Sequence, residues 1–353
     1  MNGFIIILSS EKNITPDIPI YWKKPFDFQS KFVHRKQNGG SYQIEQFSSQ
    51  KLEKEKLWID TDDFIFITEG VIHNIHDLCK KNNSINAESL ITKYYQTNNN
   101  TFFSLFEGNY SGFLFDKHRD ILTTFNNKTG MKRVFYFHNS QYTIFASDLK
   151  TLCHSLNQLK IHYSLNVESA YLLLTSGFMH ENLTLIDEVK QLRAGEYCLY
   201  KNNIIQIHSY FNLKDISETN DSKKTIIENL DGLFTEAVRL EFEIDKSNGL
   251  KHLTTLSGGL DSRMTALISY KAGYRDQILL NFSQKGYADE IIAKQIAKKF
   301  QIPLIQKELN EQSLIAIDDV VSVNDGLTLY SACSHAYDAL KQTQHSETGM
   351  IHT

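Results

Sequence analysis

The feature that most constrains the fold of this chain is a change of sequence pattern near Leu213. Before that residue, short segments rich in Ile, Phe, Tyr and Thr are separated by turn residues, which is typical of an antiparallel, strand-rich α+β domain. After it, strand and helix patterns alternate, which predicts an α/β domain with a parallel sheet covered by helices. A chain of 353 residues suits two domains, and we place them at residues 1–213 and 214–353.

The predicted elements of the first domain are mostly strands. We predict strands at residues 3–8, 64–68, 112–116, 120–125, 133–137 and 142–146, and helices at residues 88–96 and 167–176. The polar segments 37–41 and 97–101 predict loops between these elements.

In the second domain, the polar segment 214–223 predicts a linker or surface loop. An apolar stripe at helical spacing follows, formed by Ile226, Leu230, Leu233, Phe234 and Ala237. We then predict strands at residues 252–256, 277–282 and 304–308, with helices at 262–272 and 292–300 between them. Residues 349–353 have the pattern of an apolar strand entering a loop, so we expect the chain to be truncated within its second domain.

Composition and charge narrow the classes of function. The net charge is −4 and no block of Lys and Arg stands out, so we expect no nucleic-acid partner. Apolar segments such as residues 4–8 are far too short to cross a bilayer, and no signal peptide is evident at the start. We therefore expect no membrane association and a cytoplasmic location.

The cysteines and histidines do not predict a disulfide framework or a zinc site. Cys79, Cys153, Cys198 and Cys333 are widely spaced and form no CxxC pair. His73 and His76 have a spacing compatible with a helix but no third ligand nearby in the sequence. We interpret the cysteines as reduced, partly buried residues, with a single catalytic thiol as the less favoured alternative.

The segment that carries chemistry joins the predicted strand 252–256 to the predicted helix 262–272. Its two adjacent glycines allow a close approach to an anion, and free N–H groups at a helix start attract phosphate. The hydroxyls of Ser257 and Ser262 add donors, and Asp261 is explained if a Mg²⁺ ion links it to phosphate oxygens. A simple capped turn is the alternative. The spacing of a Walker loop is absent.

The string LSGGLDSR at residues 256–263 resembles the pyrophosphate-binding loop of the ATP-pyrophosphatase (PP-loop) superfamily, and most of all its asparagine synthetase branch. The resemblance implies a PP-loop, adenine nucleotide α-hydrolase-like domain that cleaves ATP between its α and β phosphates. It implies nucleotide contacts at Leu256, Ser257, Gly258, Gly259, Leu260, Asp261, Ser262, Leu280, Phe282 and Ser283, with Asp261 also binding Mg²⁺. The catalytic residues stay unknown, because the family's second acidic loop and its lysine would lie beyond Thr353.

Four segments of the first domain resemble the family's glutamine amidotransferase domain, which has the N-terminal-nucleophile (Ntn) hydrolase fold. They are residues 69–74 (EGVIHN), 107–113 (EGNYSGF), 146–152 (ASDLKTL) and 183–195. The resemblance implies an α+β Ntn-hydrolase-like domain over residues 1–213. Their order along the chain matches that of the family.

Several residues depart from the family's glutaminase pattern. Glutamine-hydrolysing members expose a cysteine at position 2, where this chain has Asn2. Glu69 replaces the asparagine that helps to stabilise the oxyanion, and Ala87 replaces the aspartate that grips the amine of glutamine. Asn126 and Asn127 replace an Arg-Asp pair. These changes predict a domain without glutaminase activity.

The resemblance therefore implies an ATP-dependent, AMP-forming amide ligase with ATP and Mg²⁺ as cofactors. Its expected substrates are aspartate or a related small carboxylate or peptide, and ammonia or an amine. The alternatives are intramolecular amide formation like that of β-lactam synthetases or lasso-peptide cyclases, and a non-catalytic nucleotide-binding or regulatory remnant. A glutamine-dependent synthetase with a misassigned start is disfavoured by Glu69 and Ala87. The oligomeric state stays open, a homodimer included.

Some residues near the predicted site have two interpretations. Asp289 and Glu290 open a predicted helix and suit its dipole, which we favour over a role at the nucleotide. Arg263 is equally compatible with phosphate and with solvent. Asp325 and Gly326 favour a turn over a substrate-facing loop.

Overall fold

A computed structural model of the chain describes residues 3–11, 17–22, 31–97, 101–311, 317–329, 331–340, 343 and 347–353. Asn2, where the family's cysteine would stand, lies outside these residues. The chain divides into two compact units. Unit 1 comprises Met1–Ile216 with Ser322–Leu329, and unit 2 comprises Ser217–Val321 with Tyr330–Thr353. The sequence prediction assigned residues 322–329 to the second domain, whereas the structure packs them in unit 1.

Unit 1 contains two six-stranded sheets. The strands of the first sheet are β1 (Gly3–Ser9), β2 (Phe32–Gly39), β3 (Tyr42–Ser49), β8 (Phe135–His138), β9 (Tyr142–Ala146) and β10 (Lys190–Gln191). Those of the second are β4 (Trp58–Asp60), β5 (Phe64–Ile72), β6 (Gly108–Asp116), β7 (Ile121–Asn126), β11 (Glu196–Lys201) and β12 (Ile204–Ser209). The strand orders are β10-β8-β9-β1-β3-β2 and β12-β11-β7-β6-β5-β4. All described pairings within the two sheets are antiparallel.

The α-helices described in unit 1 are α1 (Ile75–Lys81), α2 (Ala87–Gln96), α3 (Leu149–Gln158) and α4 (Val167–Ser176), with short 3-10 turns at Glu53–Glu55, Phe102–Leu105 and Leu213–Asp215. Three of these four, α1, α2 and α3, pack on the outer faces of these sheets. Side chains alternate along β1, so Phe4 and Ile6 pack between the sheets while Ile5 and Ile7 pack beneath α3. A second aromatic-rich core joins α1 and α2 to the other sheet. The result is an α/β/β/α sandwich.

The predicted strands and helices of the first domain are confirmed, four of the eight with longer bounds. The prediction of a loop at residues 37–41 is wrong, because residues 37–39 belong to β2, and only Gly40 and Ser41 form the turn to β3. The cause lies in the burial of β2, where no residue is fully buried and exposed positions alternate with half-buried ones. Such a strand lacks the apolar signal on which the prediction relied.

Unit 2 carries the predicted parallel sheet. Its elements are α5 (Lys223–Ser247), β13 (Lys251–Thr255), α6 (Leu260–Lys271), β14 (Gln277–Ser283), α7 (Ala288–Phe300), β15 (Leu304–Glu308), α8 (Ile317–Asn324), α9 (Ser331–Leu340) and β16 (Thr348–His352). The last residues of α8 fall in unit 1. The strand order is β15-β14-β13-β16, and all three pairings are parallel.

Helices cover both faces of this sheet, as its buried strands require. Leu279 of β14 packs with residues of α6 and α7, whereas Leu253 and Leu280 pack with Ala339 of α9 on the opposite face. Helix α5 is buried only in its second half, from Val238 onward. Among the described residues, no helix is both long and apolar enough to cross a membrane.

Candidate functional site

The loop that joins β13 to α6 lies at the carboxyl edge of the parallel sheet. Its first residue, Leu256, is buried and its N–H donates to the carbonyl of Leu280 on the neighbouring strand at 2.8 Å. The side-chain amide of Asn281 donates to the carbonyl of Leu256 at 2.7 Å. These two bonds fix the point at which the chain leaves the sheet.

Hydroxyl groups shape the turn that follows. The N–H of Ser257 donates to Oγ of Ser262 at 3.0 Å, and the two hydroxyl oxygens are also 3.0 Å apart. The N–H of Gly259 donates to Oγ of Ser257 at 3.1 Å. The guanidinium of Arg263 donates to the carbonyl of Gly259 at 2.9 Å, so this residue braces the loop. The two serines, predicted as phosphate donors, thus hydrogen-bond within the loop itself.

The start of α6 is open to a ligand. Its N-cap residue is Gly259, which has no side chain to accept from the first-turn N–H groups of the helix. Leu260 is 70% exposed, and Asp261 is also exposed. The loop is therefore neither packed shut nor directed away from the carboxyl edge of the sheet. Such a helix start offers polarised N–H groups to an anion.

Gly258 is held against Asp289, the second residue of α7. The N–H of Gly258 donates to Oδ1 of Asp289 at 2.7 Å. A Cβ at this position would lie 2.6 Å from the same oxygen and 3.2 Å from Cδ1 of Ile292, so a larger residue would require these side chains to move. Asp289 lies in the first turn of α7, as predicted for a helix-dipole residue, and its carboxylate also contacts the predicted nucleotide loop. Glu290 does act locally, accepting from the N–H of Gly286 at 2.5 Å.

The predicted strand contacts lie beside the loop on β14. Leu280 is buried and Phe282 partly buried in the core beneath α9, while Oγ of Ser283 donates to Oδ1 of Asn281 at 2.7 Å. Oδ1 of Asn281 also accepts a hydrogen bond from Nε2 of Gln306, on β15, at 3.3 Å. Asn281 and Gln306 were not among the predicted site residues, although a polar residue inside an apolar strand is a signal that could have identified them.

In unit 1, a row of polar residues crosses three neighbouring strands. Glu69, Ser111 and Asn126 lie opposite one another on β5, β6 and β7 and are all buried. Oε1 of Glu69 is 3.3 Å from Nζ of Lys132. Oε2 of Glu69, Oγ of Ser111 and Oδ1 of Asn126 have no hydrogen-bond partner within the described part of the chain. The carboxylate of Glu69 is therefore half of an ion pair rather than an isolated charge.

The other departures from the glutaminase pattern have local structural roles. Ala87 is the first residue of α2, next to its N-cap Asn86. Nδ2 of Asn126 donates to the carbonyls of Leu192 and Arg193 at 3.2 and 2.9 Å. Nδ2 of Asn127 donates to the carbonyl of Gly108 at 2.9 Å. These amides fix backbone segments of unit 1.

The described cysteines are free thiols within the core. Burial raises the pKa of Cys153 and of Cys198 to about 12, and it also raises the pKa of Cys79. A nucleophilic cysteine needs the opposite shift, because the thiolate is the reactive form. None of these three has the environment of a catalytic thiol. The side chain of Cys333 lies outside the described residues.

Two family models match this chain in consecutive segments. The model described as a glutamine amidotransferase domain matches residues 48–211, within unit 1. The model described as asparagine synthase matches residues 229–351, which include the loop, β13 to β15 and all but the last residue of β16. These matches support an amidotransferase-like first domain followed by an asparagine synthase domain.

Curated relatives give the same result. Two proteins of Methanocaldococcus jannaschii, putative asparagine synthetases (glutamine-hydrolyzing) 2 and 1, are 25% identical over 211 residues and 23% identical over 310 residues. These alignments cover 58% and 82% of this chain and 40% and 51% of the relatives. Asparagine synthetase (glutamine-hydrolyzing) 1 of Bacillus subtilis is 23% identical over 274 residues, covering 74% of this chain and 40% of the relative.

The chain thus spans about half the length of these relatives, or less. Within that span, the two domain matches follow each other in the order that the motifs of the sequence predict. We conclude that the chain belongs to the asparagine synthetase family.

Proposed function

We propose that the protein is an ATP-dependent, AMP-forming amide ligase of the asparagine synthase type. It would adenylate a carboxylate, aspartate or a related acid, with release of pyrophosphate, and ammonia or an amine would then displace AMP. The observation that carries this proposal is the open loop between β13 and α6, at the carboxyl edge of a parallel sheet. Open α/β sheets bind their ligands at this edge.

Some residues of the loop fix its conformation, and others are free to bind the nucleotide. Because Ser257 and Ser262 bond to each other, we assign pyrophosphate to the backbone N–H groups at the start of α6. These groups are already oriented, so they stabilise the charge of departing pyrophosphate without rearrangement. We assign the remaining contacts to the nucleotide to Leu256, Leu280, Phe282 and Ser283, as the family resemblance implies.

Asp261 is the residue that we assign to Mg²⁺. It is exposed in the first turn of α6, next to the N–H groups assigned to phosphate. A carboxylate oxygen is a preferred Mg²⁺ ligand. When bound, the ion would neutralise charge on the phosphate oxygens.

We also propose that the first domain has no glutaminase activity. Glu69 is buried and paired with Lys132 where the family has an oxyanion-stabilising asparagine, and a carboxylate there opposes the developing negative charge. Burial disfavours the thiolate of all three described cysteines. Release of glutamate from glutamine by the purified protein, at a rate above that of buffer, would overturn this part of the proposal.

Binding of Mg·ATP, measured by titration calorimetry, tests the nucleotide site first. We expect Asp261→Ala to weaken binding roughly tenfold or more, since a charge-assisted contact is worth at least ~1.4 kcal/mol. Asp231→Ala is the matched control, because Asp231 is an exposed acid on α5. Equal affinities for Asp261→Ala and the parent protein would contradict the assignment.

Exchange of pyrophosphate into ATP tests the chemistry. A panel of carboxylates, beginning with aspartate, should contain one that supports exchange in the parent protein and not in Asp261→Ala. Nucleotide binding without exchange for any acid in the panel would favour a nucleotide-binding remnant. Exchange with a substrate that already carries an amine would favour intramolecular amide formation.

A further inference from the structure

Three titratable side chains meet beneath α5, apart from the loop. Asp245 lies on α5, His252 on β13 and His352 on β16, and their exposed fractions are 0%, 3% and 1%. Oδ2 of Asp245 is 2.8 Å from Nε2 of His352 and 3.3 Å from Nδ1 of His252. Each residue offers one ligand atom, and all three atoms lie within 4.8 Å of one another.

The surroundings fix the direction of each group. Oδ1 of Asp245 accepts from the N–H of Met350 at 2.9 Å, which leaves Oδ2 for the two imidazoles. A Cβ on Gly349 would lie 1.9 Å from Oδ1, so only glycine allows this approach. The ring of Phe242 stacks on His352 with a centroid distance of 3.8 Å and lies 4.7 Å from the ring of His252. The cluster is thus held by parts of three elements.

We propose that Asp245, His252 and His352 form a binding site for a divalent transition metal of the zinc class. Two imidazole nitrogens and one carboxylate oxygen are ligands that Zn²⁺ accepts. An ion about 2.0–2.2 Å from each atom needs donors roughly 3.3 Å apart. The oxygen–nitrogen distances of 2.8 and 3.3 Å are close to this spacing, and the two imidazole nitrogens lie within 4.8 Å of each other.

The outer side of His352 supports the assignment. Its second nitrogen, Nδ1, is 3.4 Å from Oε2 of Glu241, which lies one helical turn before Asp245 on α5. Metal-binding histidines commonly donate their other N–H to a carboxylate, which orients the ring. With neutral imidazoles, the charges of Asp245 and Glu241 also balance those of a dication. The ion would replace the protons that join Asp245 to the histidines.

Such a site would link α5, β13 and β16, and β13 leads directly into the nucleotide loop. It differs in chemistry from the Mg²⁺ position at Asp261, which offers oxygen alone. The metal-site proposal does not depend on the proposed ligase activity, because its three side chains lie between α5 and the sheet and not in the nucleotide loop. Its expected effect is stabilisation of unit 2, since an ion that binds only the folded state raises its stability.

Titration of the metal-free protein with Co²⁺ is the direct test. We expect one equivalent to produce visible d–d absorption, and one equivalent of Zn²⁺ to abolish it. Retention of zinc after dialysis should be lost in His252→Gln and in His352→Gln but kept in His208→Gln, whose imidazole is exposed on β12. Asp261→Ala should retain zinc as the parent protein does.

Thermal unfolding provides a second readout. Added Zn²⁺ should raise the melting temperature of the parent protein and leave that of Asp245→Asn unchanged, since the amide keeps an acceptor for one imidazole but loses the charge. If the histidine variants fail to fold, the Co²⁺ spectrum of the parent protein still shows whether the cluster binds a metal ion. A folded parent protein that gives no Co²⁺ bands and retains no zinc would establish a purely hydrogen-bonded cluster and overturn the proposal.

Discussion

At the scale of the residue, the contact between Gly258 and Asp289 decides how the loop is held. The N–H donates at 2.7 Å, and the missing Cβ makes room for the carboxylate. The carboxylate of Asp289 accepts from an N–H of the loop that we propose to bind phosphate. The loop is therefore held in position by a residue of α7, which does not belong to the loop or to α6.

We predict that Gly258→Ala weakens Mg·ATP binding severalfold, because its Cβ would lie 2.6 Å from Oδ1 of Asp289 and displace the loop or α7. The measurement is calorimetric titration, with thermal unfolding in parallel. Gly232→Ala is the control. Gly232 lies in the interior of α5, and no atom lies within 4 Å of the position that its Cβ would take. That control should be neutral or stabilising by up to about 1 kcal/mol. Unchanged binding in Gly258→Ala would show that the contact is dispensable.

Asp325 gives a pH dependence in unit 1. It occupies the turn predicted at Asp325 and Gly326, and its Oδ1 accepts from the N–H of Leu149 at 3.1 Å. Burial raises the pKa of Asp325 well above its ordinary value of 3.8, and the charge of Asp148 adds to this while Arg133 opposes it. The folded state thus holds its proton more tightly than the unfolded state does. This stabilisation is complete below the ordinary pKa and is lost as pH rises through the folded pKa.

We therefore predict that Asp325→Asn becomes more stable relative to the parent protein as pH rises, because the amide cannot ionise. Chemical unfolding across a series of pH values measures this difference. Asp215→Asn, an exposed acid of the same unit, should leave the difference constant. Parallel stability curves for Asp325→Asn and the parent protein would refute the account.

At the scale of the element, α5 shows two different environments along its length. Leu230 and Leu233 of the predicted apolar stripe are 59% and 69% exposed, whereas Phe242 is fully buried beside the histidine cluster. Periodicity predicted the helix correctly, but it could not indicate which half would be buried. That choice depends on where β13 and β16 meet the helix, which local sequence does not encode.

We predict that Phe242→Ala lowers the free energy of unfolding of unit 2 by about 3–5 kcal/mol, the usual cost of removing a buried aromatic ring. Leu233→Ala, on the same helix but exposed, should change it by no more than about 0.5 kcal/mol. Denaturant unfolding of both variants provides the comparison. Similar values for the two would mean that α5 is not anchored through Phe242.

The local features of the site could be predicted from the sequence, whereas its long-range contacts could not. The strand-loop-helix order and the two glycines at Gly258 and Gly259 were visible in the sequence, because they are local. The bond from Gly258 to Asp289 joins residues 31 positions apart, and the pair of Glu69 with Lys132 spans 63. Partners that distant are chosen by the packing of whole elements. The sequence indicated the residue types there but not their contacts.

At the scale of the whole molecule, the chain leaves unit 2 once and returns. Residues Ser322–Leu329 belong to unit 1, although more than a hundred residues separate them from Ile216. Leu327 is 2% exposed and packs in the core beneath α3. Its carbonyl accepts from the N–H of Met179 at 2.7 Å. The core of unit 1 is therefore completed by a late part of the chain.

We predict that Leu327→Ala destabilises unit 1 by about 2–5 kcal/mol, as expected for a buried leucine. Hydrogen exchange should reveal faster opening in α3 and β8 than in the parent protein, with little change in β14. Val323→Ala, which is 41% exposed, is the control. Increased exchange confined to unit 2 would contradict this assignment.

The shared segment has a consequence for dissecting the protein. A cut between the 3-10 turn Leu213–Asp215 and α5 breaks one peptide bond, yet the fragment ending there still lacks Leu327. After such a cut we expect the two pieces to co-purify under native conditions and to separate only in denaturant. A gene fragment that stops at the same place would encode a protein with a gap in its core.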